Sequence, residues 1–127
     1  MTEAPQALVV DDNALNARLA ATLLGRLGWE ARIADDGRHA LALLARQSFD
    51  VVLLDPCLPL LDGEELCRHI RRKPQCESLP VIAYTGHGHP QEAARLLASG
   101  FDRLLAKPTS FNDLRLLCQQ YAPAIAE

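Results

Sequence analysis

The feature that most constrains the fold of this chain is an alternation of short apolar runs with longer segments of helical spacing. The apolar runs occupy residues 7–12, 51–55, 80–85 and 103–107. Continuous apolar runs of this length are typical of strands that are buried on both faces. Because each helical segment would return the chain to start the next strand in the same direction, the pattern predicts a mainly parallel sheet.

Five helical segments separate or follow the apolar runs. The first contains leucines at intervals of four residues: Leu15, Leu19, Leu23 and Leu27. Residues 29–34 differ because apolar and polar side chains alternate, which predicts an edge strand with one wetter face. Residues suited to helix starts or stops stand at the expected borders: Gly28, Asp36, Asp62 and Ser110. The sequence therefore predicts a doubly wound α/β domain with five strands and five helices.

Length and composition limit both domain count and function. The 127 residues match one domain, with residues 1–127 predicted as a single unit and its core at about 6–121. The net charge of -3 argues against direct binding to nucleic acid. There is no apolar run of the roughly 20 residues that would cross a membrane. The four cysteines form no metal-binding spacing and the N-terminus does not resemble a signal peptide, so we expect a cytoplasmic location.

Polar residues follow four of the predicted strands. They are Asp11 and Asp12, Asp55, Thr85 with Gly86, and Lys107 before a proline. Because parallel strands end at the same edge of a sheet, these side chains should meet there. Carboxylates about 4 Å apart repel by roughly 4 kcal/mol per pair at an effective dielectric near 20, so a cation is expected. Mg²⁺, or the similar Mn²⁺, suits oxygen ligands that leave several positions for water and phosphate.

This group of residues suits the acceptance of a phosphoryl group on a carboxylate. Asp55 would be the acceptor, while the metal and Lys107 neutralise the transferring oxygens and Thr85 donates a hydrogen bond. Gly86 would leave access. Each feature alone has a structural explanation: the acidic pair could begin a helix, Lys107 could mark a strand exit, and Thr85 a turn. Their joint occurrence at four strand ends favours the chemical interpretation.

The segments VVDDN, VVLLDPCLPLLDG, AYTG and AKP resemble the receiver (CheY-like phosphoacceptor) domain of two-component response regulators, over essentially the whole chain. The resemblance implies a flavodoxin-like fold with strand order 2-1-3-4-5. It also implies that Asp55 is the phosphoacceptor. Asp12 would be a direct Mg²⁺ ligand, Asp11 a ligand largely through water, and the backbone carbonyl of Cys57 a further ligand. Thr85 and Lys107 would bind the phosphoryl oxygens.

The same resemblance implies the partners. The phosphoryl donor would be a phosphohistidine on a sensor histidine kinase or a histidine phosphotransfer domain. The run DDNALNARL is similar to receivers of hybrid kinases and phosphorelays. The receiver would catalyse only its own phosphorylation and autodephosphorylation. Its output would reach an effector protein or domain outside this chain, with homodimerisation through the face between the fourth and fifth helices as one route.

Three positions distinguish this chain within the family that it resembles. Cys57 and His87 stand where side chains influence the approach of water to the phosphoaspartate, and together with Gly86 we expect them to tune its lifetime. Leu104 stands three residues before Lys107, where an aromatic switch residue is usual, and Phe101 lies in the preceding loop. We therefore expect signal transmission by loop reordering and the fourth-helix face, without burial of a ring at position 104.

Two other functions remain open from the sequence. A Mg²⁺-dependent aspartyl-phosphate phosphohydrolase also uses a strand-end aspartate, but the general-acid carboxylate two residues later is replaced here by Cys57. A receiver-like interaction module that is never phosphorylated is the other alternative.

Overall fold

The computed structural model describes residues 4–58, 62–86 and 90–122. Strands and helices alternate along the chain in this order: β1 Gln6–Val10, α1 Ala14–Arg26, β2 Glu30–Ala34, α2 Gly37–Arg46, β3 Val51–Leu54, α3 Gly63–Arg72, β4 Val81–Thr85, α4 Pro90–Ala98, β5 Arg103–Ala106 and α5 Phe111–Tyr121. A short 3₁₀ turn at Pro74–Cys76 follows α3. All strand pairs are parallel, and the order β2-β1-β3-β4-β5 confirms the predicted doubly wound fold.

The core lies on both faces of the sheet because successive strand residues point to opposite sides. In β1 and β3, Leu8 and Val52 contribute to one apolar cluster, and Val9 and Leu53 contribute to the other. Every residue of β3 and β4 is buried, as their apolar composition predicts. The outer strand β2 instead exposes most of its residues, which confirms the edge position predicted from its alternating pattern.

Side-chain caps begin four of the helices, and this explains where those helices start. The capping oxygens belong to Asn13, Asp36, Asp62 and Ser110, and each accepts a hydrogen bond from a backbone N–H in the first turn. A cap of this kind satisfies one of the N–H groups that have no partner within the helix. The caps also fix the loops that carry the strand-end residues onto the first turn of the next helix.

The leucines of α1 do not form one buried stripe. Leu15 is 79% exposed and Leu19 37%, whereas Ala17, Ala20 and Leu24 are fully buried. At 3.6 residues per turn, each step of four residues rotates by about 40°, so leucines at this interval drift away from the core face. Small alanines occupy the side of α1 that packs on the sheet, and its first leucines are left facing solvent.

Candidate functional site

The strand-end residues meet at the carboxyl edge of the sheet. Asp11 follows β1 and is 1% exposed, and Asp55 follows β3 and is 8% exposed. Thr85 ends β4 and is also buried, and Lys107 follows β5 immediately. Asp12 differs in that it is exposed. The parallel topology thus brings together residues that are almost a hundred positions apart in the chain.

Three carboxylates form one cluster at this edge. One oxygen each from Asp11, Asp12 and Asp55 lies within 4.8 Å of the others. Oxygen atoms at this separation fit a hard divalent cation that keeps several water ligands. The cluster is buried on the Asp11 and Asp55 side and open to solvent at Asp12, so an ion could enter without disturbing the core.

Lys107 joins two of these carboxylates. Its Nζ lies 2.7 Å from Oδ2 of Asp11 and 2.9 Å from Oδ2 of Asp55. Burial would lower the pKa of Lys107, but the two carboxylates outweigh it and the pKa is raised. For Asp11 burial dominates and raises the pKa, despite the hydrogen bonds from Lys107 and Asn13. The ammonium is therefore kept charged, whereas burial disfavours the ionised form of Asp11.

The orientation of Asp55 is fixed from both sides. Its Oδ1 accepts a hydrogen bond from the backbone N–H of Cys57 at 2.8 Å, and its Oδ2 faces Lys107. Its own N–H donates to the carbonyl of Val10 at 2.9 Å, which extends the β1–β3 pairing to the carboxylate. The carboxylate is held in one direction at the mouth of the site.

The positions predicted to tune the site lie around its rim. Cys57 is exposed, and partial burial together with the charge of Asp55 raises the pKa of its thiol. Gly86 is exposed as well, and a Cβ there would meet no atom within 4 Å. His87 lies outside the described residues. Leu104 is half-buried and packs against the core, and Phe101 is 3% exposed within that core.

Two residues that support the site were not predicted from the sequence. A Cβ at Gly63 would collide with the backbone carbonyl oxygen of Asp55 and with Pro56, so only glycine lets α3 begin so close to Asp55. The sequence Asp62-Gly63 indicated only a helix start. Tyr84 is fully buried, and the Lys107 ammonium lies 5.1 Å from its ring centroid, a favourable cation–π distance. This role could not be predicted from the sequence, because Tyr84 lies within the apolar run of β4.

A polar link joins α3 to α4 next to the site. Ser99 Oγ donates to Glu64 Oε1 at 2.8 Å, and Arg95 Nε lies 3.4 Å from Glu64 Oε2. Glu64 directly follows Gly63, whose backbone N–H donates to the carbonyl of Pro56 at 3.0 Å. The loop after Asp55 is therefore connected through one glutamate to the helix that follows Thr85.

Known proteins are similar to this chain over most of its length. Residues 7–119 match the response regulator receiver domain. The chain is 38% identical over 118 residues to the sensor histidine kinase RcsC of Salmonella typhi, covering 93% of this chain and 12% of that protein. The structure is similar to the chemotaxis response regulator CheY4 of Vibrio cholerae, with a TM-score of 0.87, 28% identity, and coverage of 94% of this chain and 99% of that one.

A second solved structure bears on the acidic cluster. The receiver domain of a sensor histidine kinase from Pseudomonas aeruginosa PAO1 has a TM-score of 0.86 and 30% identity, with 94% of this chain and 98% of that chain covered. Its structure has a magnesium ion coordinated in the active-site cleft.

A parallel five-stranded sheet with an acidic cluster and a lysine at its carboxyl edge defines a doubly wound α/β domain with a candidate cation site. The chain belongs to the response regulator receiver family of two-component signalling. It spans about an eighth of the length of the RcsC kinase that it matches. Within the described residues, no helix is both long and apolar enough to cross a membrane.

Proposed function

We propose that this receiver is a phosphorylation-controlled switch whose phosphoacceptor is Asp55. The observation that carries the proposal is the position of Asp55, with Lys107 Nζ at 2.9 Å and carboxylate oxygens of Asp11 and Asp12 within 4.8 Å of one of its own. A carboxylate that is already ionised needs no general base to attack phosphorus. Such a domain catalyses only its own phosphorylation and autodephosphorylation, as carboxylate nucleophiles with an adjacent cation can do.

The side chains around Asp55 have separate parts in this proposal. An oxygen of Asp55 attacks the phosphorus of a phosphohistidine, the P–N bond breaks, and an acyl phosphate forms. Lys107, now paired with carboxylates, is within reach of the transferred group and neutralises part of its charge. The hydroxyl of Thr85 is assigned a hydrogen bond to the same group. Access on this side is left open by Gly86.

Mg²⁺, or Mn²⁺, is the cofactor that fits this site. Asp11, Asp12, Asp55 and the backbone carbonyl of Cys57 would hold it, and it would supply charge neutralisation for the phosphoryl oxygens. All of these donors are oxygen atoms, which hard cations prefer. The magnesium ion in the related Pseudomonas receiver supports this choice.

We assign control over the lifetime of the phosphoryl group to residues at the rim of the site. The exposed side chain of Cys57 is small, which leaves water an open approach to the acyl phosphate. The raised pKa of its thiol keeps it protonated, so it adds no negative charge beside the phosphoryl group at neutral pH. We include His87 in this tuning set on the basis of its sequence position alone.

The phosphoryl donor is proposed to dock beside the first turn of α1. Leu15 is 79% exposed there, and Leu19 lies one turn further along with 37% exposure. The preceding N-cap Asn13 donates its backbone N–H to Asp11 at 2.9 Å, so this apolar surface adjoins the site directly. A histidine-bearing helix of a sensor kinase or phosphotransfer domain could cover both leucines while its histidine approaches Asp55.

The location proposed for this protein is the cytoplasm, with which such partners and the free cysteines are consistent.

The output is proposed to leave at the β5 edge of the sheet, through the helices before and after that strand. Phosphorylation adds about 1.5 to 2 negative charges, and Thr85 and Lys107 would transmit this change to α4 and β5. Leu104 packs against the core without a ring that could change position. Leu97 on α4 and Leu116 on α5 are 48% and 50% exposed. These two leucines are suited to an effector outside this chain or to a homodimer.

The decisive experiment is to incubate the protein with acetyl phosphate and Mg²⁺ and to measure its intact mass. We expect a labile gain of one phosphoryl group that is absent in Asp55→Asn and in chelator. Asp50→Asn is a control for the loss of one carboxylate, because Asp50 lies at the opposite end of β3 and binds the N–H of Gln6.

The alternatives give different results in the same experiment. Rapid release of inorganic phosphate over many turnovers would indicate an aspartyl-phosphate phosphohydrolase. A protein that gains no mass from acetyl phosphate, nor from a phosphorylated kinase, would be an interaction module instead. Docking at α1 is tested separately: Leu15→Asp should slow transfer from a phosphohistidine donor but not from acetyl phosphate, and Leu116→Asp should change neither.

A further inference from the structure

A basic groove runs between α3 and α4, away from the phosphoacceptor. It has a volume of about 480 Å³ and its lining combines arginines with small residues: Arg68, Arg71, Arg72, Arg95, Ala98, Ser99 and Gly100. Four guanidinium groups on one groove stand out in a chain whose net charge is -3. The fold gathers them because α3 supplies three and the neighbouring α4 supplies the fourth.

Arg71 is a structural part of the groove and is fully occupied. It donates to the carbonyl of Gly100 at 2.9 and 3.1 Å and to that of Leu79, and it pairs with Asp102 at 2.6 Å. Asp102 in turn accepts the backbone N–H of Val81 at 2.8 Å. This network ties the C-terminal end of α3 to the loops before β4 and β5 and gives the groove a fixed wall.

The other arginines are available to a ligand. Arg68 and Arg72 are exposed, and among the described residues neither forms a hydrogen bond or ion pair. Arg95 is 60% exposed, and its Nε lies 3.4 Å from the carboxylate of Glu64. The negative end of the helix dipole explains a cation at Arg72, the last residue of α3. It does not explain Arg68, which lies a full turn earlier, or Arg95, which is on another helix.

We propose that this groove binds an acidic segment of a protein partner through Arg68, Arg72 and Arg95. Arg68 and Arg72 are four residues apart on one helix, a spacing of about 6 Å. Carboxylates at the same interval on a partner helix match that spacing, and so do alternate residues of an extended segment. A guanidinium binds a carboxylate with two parallel hydrogen bonds, which gives direction as well as charge.

The opposite wall of the groove is suited to a polypeptide. Ala98 ends α4, and Ser99 and Gly100 follow it. These residues have little or no side chain, so a backbone can come close to them. A nucleic acid is disfavoured because the surrounding protein is acidic and would repel a continuous row of phosphates. The groove is separate from the donor face on α1, because α3 and α4 pack against one apolar cluster of the sheet and α1 packs against the other.

Fluorescence anisotropy with a labelled helical alanine-based peptide that carries glutamates four residues apart tests this proposal. We expect the protein to bind this peptide and not its glutamine counterpart, with binding weakened by about fourfold between 50 and 200 mM salt. The double substitution Arg68→Gln with Arg72→Gln should weaken binding by about tenfold. The double substitution to lysine, which keeps the charge but not the paired hydrogen bonds, should have an intermediate effect.

The matched control is the double substitution Arg26→Gln with Arg46→Gln. It removes the same charge from two exposed arginines that also end helices, α1 and α2, and it should change binding by less than about twofold. Absence of binding by the unsubstituted protein would overturn the proposal, as would an equal loss in the control. Tighter binding of a single-stranded oligonucleotide, lost in the Arg68 and Arg72 variant, would reassign the groove to nucleic acid. Urea unfolding of each variant establishes that it is folded.

Discussion

Lys107 Nζ lies 2.9 Å from Oδ2 of Asp55, and the same ammonium lies 2.7 Å from Oδ2 of Asp11. One ammonium group therefore pairs with two carboxylates that are almost fully buried. This arrangement stabilises the site when no metal is bound, and it leaves the ammonium next to the position that a phosphoryl group would occupy. The lysine thus links the stability of the domain to the chemistry proposed for Asp55.

Replacing this lysine should show how strongly the acidic cluster destabilises the domain when its cation is missing. In the presence of a chelator, Lys107→Gln should lower the free energy of unfolding by about 2–4 kcal/mol, because it leaves two buried carboxylates without their cation. Urea denaturation measures this, and saturating Mg²⁺ should restore part of the loss. The control is Lys73→Gln at the end of α3, where the described residues form no ion pair with the lysine. Equal stabilities of Lys107→Gln and the unsubstituted protein would contradict this account of the site.

A bound divalent cation should stabilise the domain through the exposed carboxylate. At a Mg²⁺ concentration about ten times Kd, linkage raises the free energy of unfolding by about 1.4 kcal/mol. The substitution Asp12→Asn should abolish that gain with little effect in chelator, because Asp12 is exposed. Asp35→Asn removes another exposed aspartate, one outside the cluster, and should keep the gain. Thermal unfolding with and without Mg²⁺ distinguishes the variants, and a gain that survives in Asp12→Asn would place the ion elsewhere.

The approach of α3 to Asp55 predicts a strong effect at one glycine. Gly63→Ala should destabilise the domain by about 1–3 kcal/mol, because its Cβ collides with the backbone of Asp55 and Pro56. It should also slow phosphoryl uptake by displacing the carboxylate. Gly25→Ala in α1, away from the site, is the matched control, since its Cβ meets no atom within 4 Å. Urea denaturation and intact-mass kinetics give the two readouts, and equal behaviour of the two variants would refute a tight contact.

The sequence was sufficient for the architecture because each local signal agreed with the global one. The apolar run Val51–Leu54 is a strand whose residues are all buried, and Asp55 follows it directly. Parallel topology then brought Asp11, Asp55 and Lys107 to one edge without any knowledge of distances. Helix starts were equally predictable because Asp36 and Ser110 are effective caps.

Other features depend on packing that no local pattern records. The contact of Gly63 with the Asp55 backbone depends on where α3 crosses the sheet, and the hydrogen bond from Ser99 to Glu64 joins residues that are 35 positions apart. The exposure of Leu15 also depends on which face of α1 meets the sheet. The groove lined by Arg68, Arg72 and Arg95 depends on packing in the same way, because Arg95 lies on another helix.

Substitution of Thr85 should allow phosphorylation but remove the structural response to it. The residue is 3% exposed at the end of β4, and its carbonyl accepts the N–H of Lys107 at 2.9 Å. We expect Thr85→Ala still to accept a phosphoryl group, but to lose most of the change in amide exchange of α4 and β5 that beryllofluoride with Mg²⁺ induces. Thr85→Ser retains the hydroxyl and should recover the response. A full response in Thr85→Ala would exclude this residue as the coupling group.

Alkaline pH should destabilise the domain through its buried thiols. Burial raises the pKa of Cys67 and Cys118 from the ordinary value of 9.0 to about 11. Between these values the folded state holds protons that the unfolded state has lost. The contribution of these thiols to the free energy of unfolding is therefore fully present below pH 9. It falls as the pH rises to 11, by up to about 1.4 kcal/mol per pH unit for each thiol.

Substitution of both thiols tests this dependence. Replacing Cys67 and Cys118 by alanine should lower stability at neutral pH, since packing is lost, but it should make the decline above pH 9 shallower. Some decline should remain, because the pKa values of Tyr84 and Lys107 are also raised and their protonated forms also favour the folded state. Urea denaturation at several pH values measures the slope. Parallel curves for the variant and the unsubstituted protein would show that these thiols do not titrate with unfolding.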